Sequence, residues 1–320
     1  MAIVLGMASS HAPSMFVDGE HWPTIHRGLV REVPQPREVA QETPEVVEGY
    51  VRRIRAGFVA LRAKLEEARP DALILVGDDQ DEVFSRAIMP AFAMFIGEEA
   101  EGTASIHWIG ERPQDNRIKL RGHPQLARVA LEGLLARGFD LGYMEELKPM
   151  ARPDRGLGHA FTRIGKAMGL AENGIPTIPV FLNGYHPPLP SAARCYALGK
   201  ALRDVFADRP ERIAIYGSGG LSHCPLGPRA GWVDEPLDRW VIDTIERGEG
   251  AALQNLFTFD SDTLRSGTGE IRSWITVAGA FDGVKGEVVE YIASRLAVTG
   301  LGMAYWPHNI GSPRPTCQGS

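Results

Sequence analysis

Short apolar runs alternate along the chain with longer amphipathic segments. Near-continuous runs of branched and aromatic residues are typical of strands that are covered on both faces. They predict strands over residues 2–7, 71–76, 91–96 and 175–182 and around 213–215, with a further one over 139–144. Pro176 and Pro179 restrict the 175–182 segment to an edge or irregular strand, because proline cannot donate to a strand ladder.

Helical spacing of apolar positions marks the segments between these strands. Residues 44–67 carry them on one face with arginine and glutamate between, which predicts an amphipathic helix. Ser191 has the position of an N-cap before residues 192–206. Further helices are predicted over residues 124–135, 160–169, 237–246, 250–255 and 271–280. Residues 284–292 indicate a further secondary-structure element and residues 300–306 a last apolar segment, neither assigned as helix or strand.

The alternation of strands and helices predicts an α/β fold with a central, mostly parallel or mixed sheet flanked by helices. We expect a single catalytic domain over residues 1–310 and a loosely ordered tail over 311–320. Residues 18–36 are polar and proline-containing and indicate a long loop, and such loops often act as lids. Residues 98–115 are read as irregular and residues 266–270 as a flexible turn.

Charge and cysteine content narrow the function classes. The net charge of −6 gives no basic field for nucleic acid. The three cysteines show no CxxC spacing, which argues against a disulfide framework and favours a cytoplasmic location. We see no signal peptide and no apolar run of membrane-spanning length.

Polar residues able to act as ligands or proton carriers follow the predicted strands or begin the predicted helices. In an open α/β sheet, ligands bind beyond the carboxyl ends of the strands, so these residues are expected to converge. Each also has a plain structural explanation, such as a backbone-bonded histidine or an acid at a helix N-terminus. The candidates are His11, the acids of residues 78–82 with Gln80, His159, His186, His223 and Glu270. His123 precedes a predicted helix and is either a helix-entry residue or a pocket lining.

Histidines and carboxylates of this kind suit a non-haem Fe(II) oxygenase. Such a site needs a facial set of three ligands that leaves positions for substrate and O2. Near the carboxyl end of the 213–215 strand, glycines at 217, 219 and 220 permit close backbone approach, and His223 follows them. A histidine there can transfer a proton near neutral pH.

The order of several motifs resembles the class III extradiol ring-cleavage dioxygenases. Within that family it resembles the large (β) subunit of protocatechuate 4,5-dioxygenase and the gallate and methylgallate dioxygenases. The matching segments cover nearly the whole chain in order. They are ASSHAP (residues 8–13), GHP (122–124), GHA (158–160), PPLPS (187–191) with RCYALG (194–199), GSGGLSH (217–223) with GPRAG (227–231), and SGTGE (266–270) with Trp274 and Gly279-Ala280.

The resemblance implies an Fe2+ cofactor and a function for each matching residue. His11 and Glu270 would be iron ligands, and His223 would be the acid–base group that takes a proton from a catechol. His159 would be a second histidine that contacts substrate or oxygen. The resemblance further implies a small aromatic diol and O2 as substrates, and a homodimer. Tyr185, His186 and His123 would line the substrate pocket.

One position departs from the family pattern. Where the family usually has Asn-Asp-His, with the histidine as the second iron ligand, this chain has Asp78, Asp79 and Gln80. Three alternatives remain open: Gln80 ligates through its carbonyl oxygen, Asp81 or Glu82 ligates instead, or the site holds no iron. The last would make the chain a non-catalytic homologous subunit that pairs with an active one.

Two further points concern the site as a whole. A metal-dependent hydrolase on a similar scaffold is a third reading, because acids and histidines at strand ends also suit that chemistry. The chain has no segment corresponding to the family's small α subunit, which caps the site. Residues 18–36 are expected to act as the lid instead.

Overall fold

The structure, a computed structural model, describes residues 3–259 and 261–307. The strands are β1 (Ile3–Ser9), β2 (Ala72–Asp78), β3 (Phe92–Phe95), β4 (Glu99–Thr103), β5 (Arg117–Arg121), β6 (Gly142–Met144), β7 (Thr177–Leu182), β8 (Ile213–Ser218), β9 (Glu287–Ser294) and β10 (Thr299–Pro307). The α-helices are α1 (Trp22–Val30), α2 (Pro44–Ala68), α3 (Pro124–Leu135), α4 (His159–Ala167), α5 (Leu170–Asn173), α6 (Ala192–Phe206), α7 (Glu235–Arg247) and α8 (Ile271–Ala280).

Eight strands form one mixed sheet in the order β6-β3-β7-β2-β8-β1-β10-β9. Its centre is parallel: β7 pairs with β2, β2 with β8, and β8 with β1. The flanking pairs β3/β7, β1/β10 and β10/β9 are antiparallel. The carboxyl ends of the four parallel strands therefore lie along one edge of the sheet, as predicted for an α/β fold.

Helices cover both faces of this sheet. Successive residues of a strand point to opposite faces, so each buried strand contributes to two cores. Leu73 and Leu75 of β2 belong to the core that includes the apolar stripe of α2. Ile74 and Val76 belong to the core formed with α3, α6, α7 and α8. A strand buried on both faces requires the continuous apolar run that the sequence shows.

Helix α8 carries the candidate Glu270 at its start and lies unusually close to α6. A Cβ at Gly199 of α6 would stand 1.8 Å from the carbonyl oxygen of Thr276, and one at Gly279 of α8 would stand 2.0 Å from that of Tyr196. Glycine at both positions lets the two backbones touch. This close packing fixes where α8 begins at the edge of the sheet.

Four segments differ from the sequence-based expectation. Residues 18–36 contain α1, whose Trp22, Ile25 and Leu29 are buried on one face, so the segment is not a plain loop. Residues 98–115 include β4, which pairs with β5 in a separate two-stranded sheet. Residues 250–255 and 266–270 form 3₁₀ helices rather than an α-helix and a flexible turn.

Strand β7 is interior, lying between β3 and β2, although its prolines predicted an edge or irregular strand. Strand β3 pairs only with residues 180–182 of β7, so Pro179 lies outside that ladder. The predicted tail over 311–320 lies outside the described residues. Among the described residues, no helix is both long enough and apolar enough to cross a membrane.

Candidate metal and substrate site

Residues that follow the parallel strands line one cavity of about 340 Å³. His11 comes two residues after β1, Gln80 follows β2, Tyr185 follows β7 and His223 follows β8, and all of them line the cavity. Glu270, at the start of α8, also lines it. The fold therefore brings together four side chains that were expected to converge, and it adds Tyr185, which the family resemblance had placed in the pocket. The volume suits a small ligand.

Three buried side chains, of which His11 and Glu270 line this cavity, are arranged as a metal site. His11, Asp78 and Glu270 each present one ligand atom, and these atoms lie within 4.8 Å of one another. Nε2 of His11 lies 3.3 Å from Oε2 of Glu270 and 3.8 Å from Oδ1 of Asp78. One nitrogen and two carboxylate donors make a set that suits a divalent transition metal.

The hydrogen bonds of His11 identify which ring nitrogen is free. The hydroxyl of Ser218 donates to the carbonyl oxygen of Ala160 at 2.5 Å, so its oxygen accepts from Nδ1–H of His11 at 3.0 Å. Burial lowers the pKa of His11 to about 3, although Glu270 opposes this. The ring is therefore neutral at pH 7, and Nε2 points a lone pair at two carboxylates. A cation between them removes that conflict.

Asp78 supplies the second sign of a missing positive charge. Its carboxylate is buried, and neither oxygen has a hydrogen-bond partner among the described residues. Burial, and then the charge of Glu270, raise the pKa of Asp78 well above its ordinary value. Buried carboxylates are normally paired or bound to metal, so this orphaned group fits a cation at the cluster.

Glu270 is held from several sides. Its Oε2 accepts from the backbone N–H of Gly220 at 2.8 Å, and its Oε1 accepts from the hydroxyl of Tyr185 at 2.6 Å. Burial raises the pKa of Glu270, but the neighbouring His223 and the hydrogen bonds from His223 and Tyr185 outweigh it and lower the pKa overall. Gly219 has φ +134°, and a Cβ there would stand 2.8 Å from Cβ of Glu270, so only glycine fits beside the carboxylate.

Gln80 reaches the same cluster. Its Nε2 donates to Oε1 of Glu270 at 2.9 Å, so its amide supports a candidate ligand. The other acids of this loop point elsewhere. Asp81 lies beside His186, with Oδ1 3.2 Å from Nε2. The carboxylate of Glu82 contacts His159.

His223 faces the cluster with one nitrogen. Its Nδ1 donates to the carbonyl oxygen of Leu221 at 2.9 Å, which leaves Nε2 3.2 Å from Oε1 of Glu270. Burial lowers the pKa of His223, but the charge of Glu270 and the bond to it outweigh this and raise the pKa. The preceding Ser222 is anchored by Asp238, which accepts from its backbone N–H and its hydroxyl at 2.8 and 3.0 Å.

His159 also lines the cavity. Its Nδ1 and its backbone N–H both donate to Oε2 of Glu82, at 2.8 and 2.9 Å. Its ring stands edge-on to that of His11, with centroids 4.8 Å apart. A Cβ on Gly158 would lie 2.7 Å from Oε2 of Glu82, so the glycine lets this carboxylate approach. Of the two nitrogens, Nε2 is left for the cavity.

Two predicted site residues lie outside the cavity lining. His123 is the N-cap of α3, where its Nδ1 accepts from the backbone N–H of Leu126 at 3.4 Å. His186 is positioned by Asn183, whose side-chain oxygen accepts from its backbone N–H at 2.9 Å. Neither is among the residues that line the cavity.

Sequence reasoning missed a group of arginines in the cavity wall. Arg31, Arg152, Arg155 and Arg163 all line it. The only local signal was the spacing of Arg152 and Arg155 just before the glycines that precede His159.

Comparison with known proteins gives the family. Residues 34–304 match the family model described as the catalytic LigB subunit of aromatic ring-opening dioxygenase. Because this match spans most of the chain, the protein belongs to that family. The resemblance seen in the motifs is thereby confirmed.

Individual relatives are more distant. The chain is 28% identical over 202 residues to a 2,3-dihydroxyphenylpropionate/2,3-dihydroxicinnamic acid 1,2-dioxygenase of Photorhabdus laumondii, covering 62% of this chain and 56% of that protein. It is 28% identical over 163 residues to gallate dioxygenase of Pseudomonas putida, covering 49% and 45%. The chain thus spans about half the length of these curated relatives.

A solved structure agrees with the fold. The crystal structure of the uncharacterized protein JW3007 from Escherichia coli K12 aligns with a TM-score of 0.51 at 15% identity, covering 94% of this chain and 99% of that one. At this level of identity the likeness concerns the fold alone.

Proposed function

We propose that the protein is a non-haem Fe(II)-dependent extradiol dioxygenase that inserts O2 into a catechol-type ring and opens it beside the diol. The observation that carries the proposal is the buried cluster of His11, Asp78 and Glu270, of which His11 and Glu270 line the cavity. Family membership and relatives that are named as dioxygenases support it.

His11, Asp78 and Glu270 would hold the ferrous ion. The donor set differs from the sequence-based expectation, in which Gln80 or a later acid replaced the family's second histidine. Asp78 has free carboxylate oxygens, whereas the amide nitrogen of Gln80 is bonded to Glu270. When bound, the iron would supply the electron transfer between catechol and dioxygen that the side chains cannot provide.

His223 would act as the acid–base group. Its Nδ1–H is committed to Leu221, so Nε2 is the atom that exchanges a proton with a ligand in the cavity. A diol held at the bottom of the cavity would present a hydroxyl to this nitrogen. The imidazole of His223 would then hold the proton and return it as the catechol ring opens.

His159 would contact the substrate or the oxygen from the other side. Glu82 accepts from its Nδ1–H and fixes the tautomer, so Nε2 is available to the ligand. Tyr185 would keep the carboxylate of Glu270 oriented through its 2.6 Å hydrogen bond. His186 and His123 contact other protein groups and would act on the substrate only through the loops they hold.

The proposal includes a homodimer, on family resemblance, and a cytoplasmic location. Cys195 and Cys224 are both free, which fits a reducing compartment.

Oxygen uptake tests the proposal. The full chain, loaded anaerobically with Fe2+, is mixed with O2 and with protocatechuate, gallate, methylgallate or 2,3-dihydroxyphenylpropionate. We expect iron-dependent uptake and a ring-opened product with at least one of them. The His223→Gln variant should bind Fe2+ but lose turnover by about 10²- to 10⁴-fold, while His123→Gln, outside the cavity lining, should retain it. No iron-dependent uptake with any catechol would contradict the proposal.

A further inference from the structure

The wall of the cavity is strongly cationic beyond the metal cluster. Arg155 and Arg163 are buried in it, while Arg31 and Arg152 are exposed and line the same space. Their combined field reaches His107, another lining residue. Burial, and then the charges of Arg155, Arg163 and Arg152, lower its pKa.

The acids of the cavity lining do not neutralise all of these arginines. Glu82 is committed to His159 and Arg155: its Oε1 lies 3.4 Å from Nε of Arg155. Glu270 belongs to the metal cluster. Among the described residues, the guanidinium groups of Arg31 and Arg152 have neither an ion pair nor a hydrogen bond.

Arg31 has an unfavourable backbone conformation. It ends α1 with φ 51° and ψ −121°, outside the conformations that L-residues ordinarily adopt. Its N–H still donates to the carbonyl oxygen of Arg27 at 3.0 Å. The preceding turn leaves no room for a side chain at position 28, where a Cβ would stand 2.1 Å from Cδ1 of Trp108. Such strain persists where the surroundings fix the backbone, and it is concentrated at functional sites.

We propose that Arg31 and Arg152 form a subsite for a carboxylate carried by the substrate, with the diol end at the metal cluster. Guanidinium groups pair with carboxylates through two parallel N–H···O bonds, so they select this group by shape as well as by charge. A cationic mouth also raises the local concentration of anionic ligands. Only the placement of the diol end rests on the proposed function.

The subsite gives α1 a function that differs from that of a simple lid. The segment over residues 18–36 contributes Gly28, Leu29 and Arg31 to the cavity lining. Its helix is fixed by the buried Trp22 and by contact with the 3₁₀ segment around Trp108. It therefore presents Arg31 from a rigid element, which favours precise recognition.

A matched ligand pair tests the subsite. Binding of 3-(2,3-dihydroxyphenyl)propionate and of its methyl ester is measured by isothermal titration calorimetry without O2, with and without Fe2+. We expect the acid to bind at least about tenfold more tightly than the ester, as expected for one hydrogen bond between charged groups. This preference should shrink as salt is raised. It should be lost in the Arg31→Gln/Arg152→Gln double variant.

The control is Arg62→Gln, which removes a charge from an exposed position of α2 that does not line the cavity. It should leave the preference unchanged. Equal affinity for acid and ester, a preference that survives the double substitution, or binding of neither ligand would overturn the subsite. A chain that prefers the acid but never consumes O2 would contradict the proposed function and support the subsite. Turnover of the acid and the ester with equal KM would support the proposed function and contradict the subsite.

Discussion

Oδ1 of Asp78 lies 3.8 Å from Nε2 of His11, with no hydrogen-bond donor to either carboxylate oxygen of Asp78 among the described residues. Both groups are buried, and the His11 nitrogen that faces the acid carries a lone pair. A pair of electron donors in a low-dielectric site is unfavourable unless a cation lies between them. We therefore propose Asp78 as a metal ligand, at a position where the family pattern has asparagine.

Replacing Asp78 by Asn should have opposite effects on metal affinity and on stability. Fe2+ affinity should fall at least about 100-fold, because losing a residue that only supports a ligand already costs about 10- to 100-fold. The metal-free protein should become more stable by about 1–3 kcal/mol, since a buried unsatisfied acid is removed. Anaerobic metal titration and thermal unfolding measure the two effects.

Asp81→Asn is the matched control for that substitution. Its side chain is about half exposed and lies beside His186. The same chemical change there should alter neither metal affinity nor metal-free stability. Undiminished Fe2+ binding by the Asp78→Asn variant would rule out Asp78 as a ligand.

Glu82→Gln should disable His159 without unfolding the chain. The carboxylate accepts from Nδ1 of His159, and Arg155 lies 3.4 Å from its other oxygen, so His159 and Arg155, with burial opposing, hold the pKa of Glu82 at about 2. Glutamine keeps one acceptor oxygen and replaces the other by an NH2 group, so it cannot accept from His159 and face Arg155 as the carboxylate does, and the His159 tautomer is no longer fixed. We expect kcat to fall by about 10²-fold, with little change in Fe2+ affinity.

Nitrogen-15 NMR of His159 distinguishes this positioning role from a general loss of structure. In the wild type, the proton should reside on Nδ1, and in the variant both tautomers should be populated. An unchanged tautomer with an unchanged kcat would remove the positioning role of Glu82.

The pH dependence of stability should report Asp238. Burial raises its pKa to about 7, while its carboxylate accepts from Ser222 and from Tyr291. The folded state therefore retains a proton that the unfolded state releases above about pH 4. The stability contributed by this group is fully present below pH 4 and is lost as the pH rises through 7.

Asp238→Asn removes this loss. The difference in free energy of unfolding between the variant and the wild type should rise in favour of the variant by at most about 1.4 kcal/mol per pH unit between pH 5 and 7. It should become constant above pH 8. Chemical denaturation across this range measures it. Parallel curves for the two proteins would show that Asp238 does not titrate in the folded state.

A pair of helix glycines tests the close packing that positions Glu270. Gly199→Ala would push a methyl group into the carbonyl oxygen of Thr276 and should destabilise the protein by about 3 kcal/mol. Gly49→Ala on α2 meets only the end of Arg52, 3.8 Å away, and should stabilise by about 0.5–1 kcal/mol. Similar effects of both substitutions in urea denaturation would argue against backbone contact between α6 and α8.

Much of the site was predictable because the apolar runs in the sequence show where the buried strands end. His11, Gln80, Tyr185 and His223 each follow an apolar run, and parallel strands bring their carboxyl ends together. Glu270 was predictable only through the motif around it, since it follows no strand.

The division of labour among the acids of residues 78–82 was not predictable. Asp79 accepts from the backbone N–H groups of residues 82–84, Glu82 contacts His159, and Asp78 is left for the metal cluster. These choices depend on contacts with distant segments, which periodicity does not encode. The hairpin of β4 and β5 was missed for a related reason, because its residues are largely polar or small and its pairing spans an irregular connection.

The most direct test of the metal cluster is an anaerobic Fe2+ titration of the full chain and of its His11→Ala, Asp78→Asn and Glu270→Gln variants, followed by calorimetry. We predict one ferrous ion per chain in the wild type and a large loss of affinity in each variant. Wild-type protein that takes up no ferrous ion, or variants that bind it as tightly as the wild type, would contradict the site on which the proposed oxygen chemistry depends.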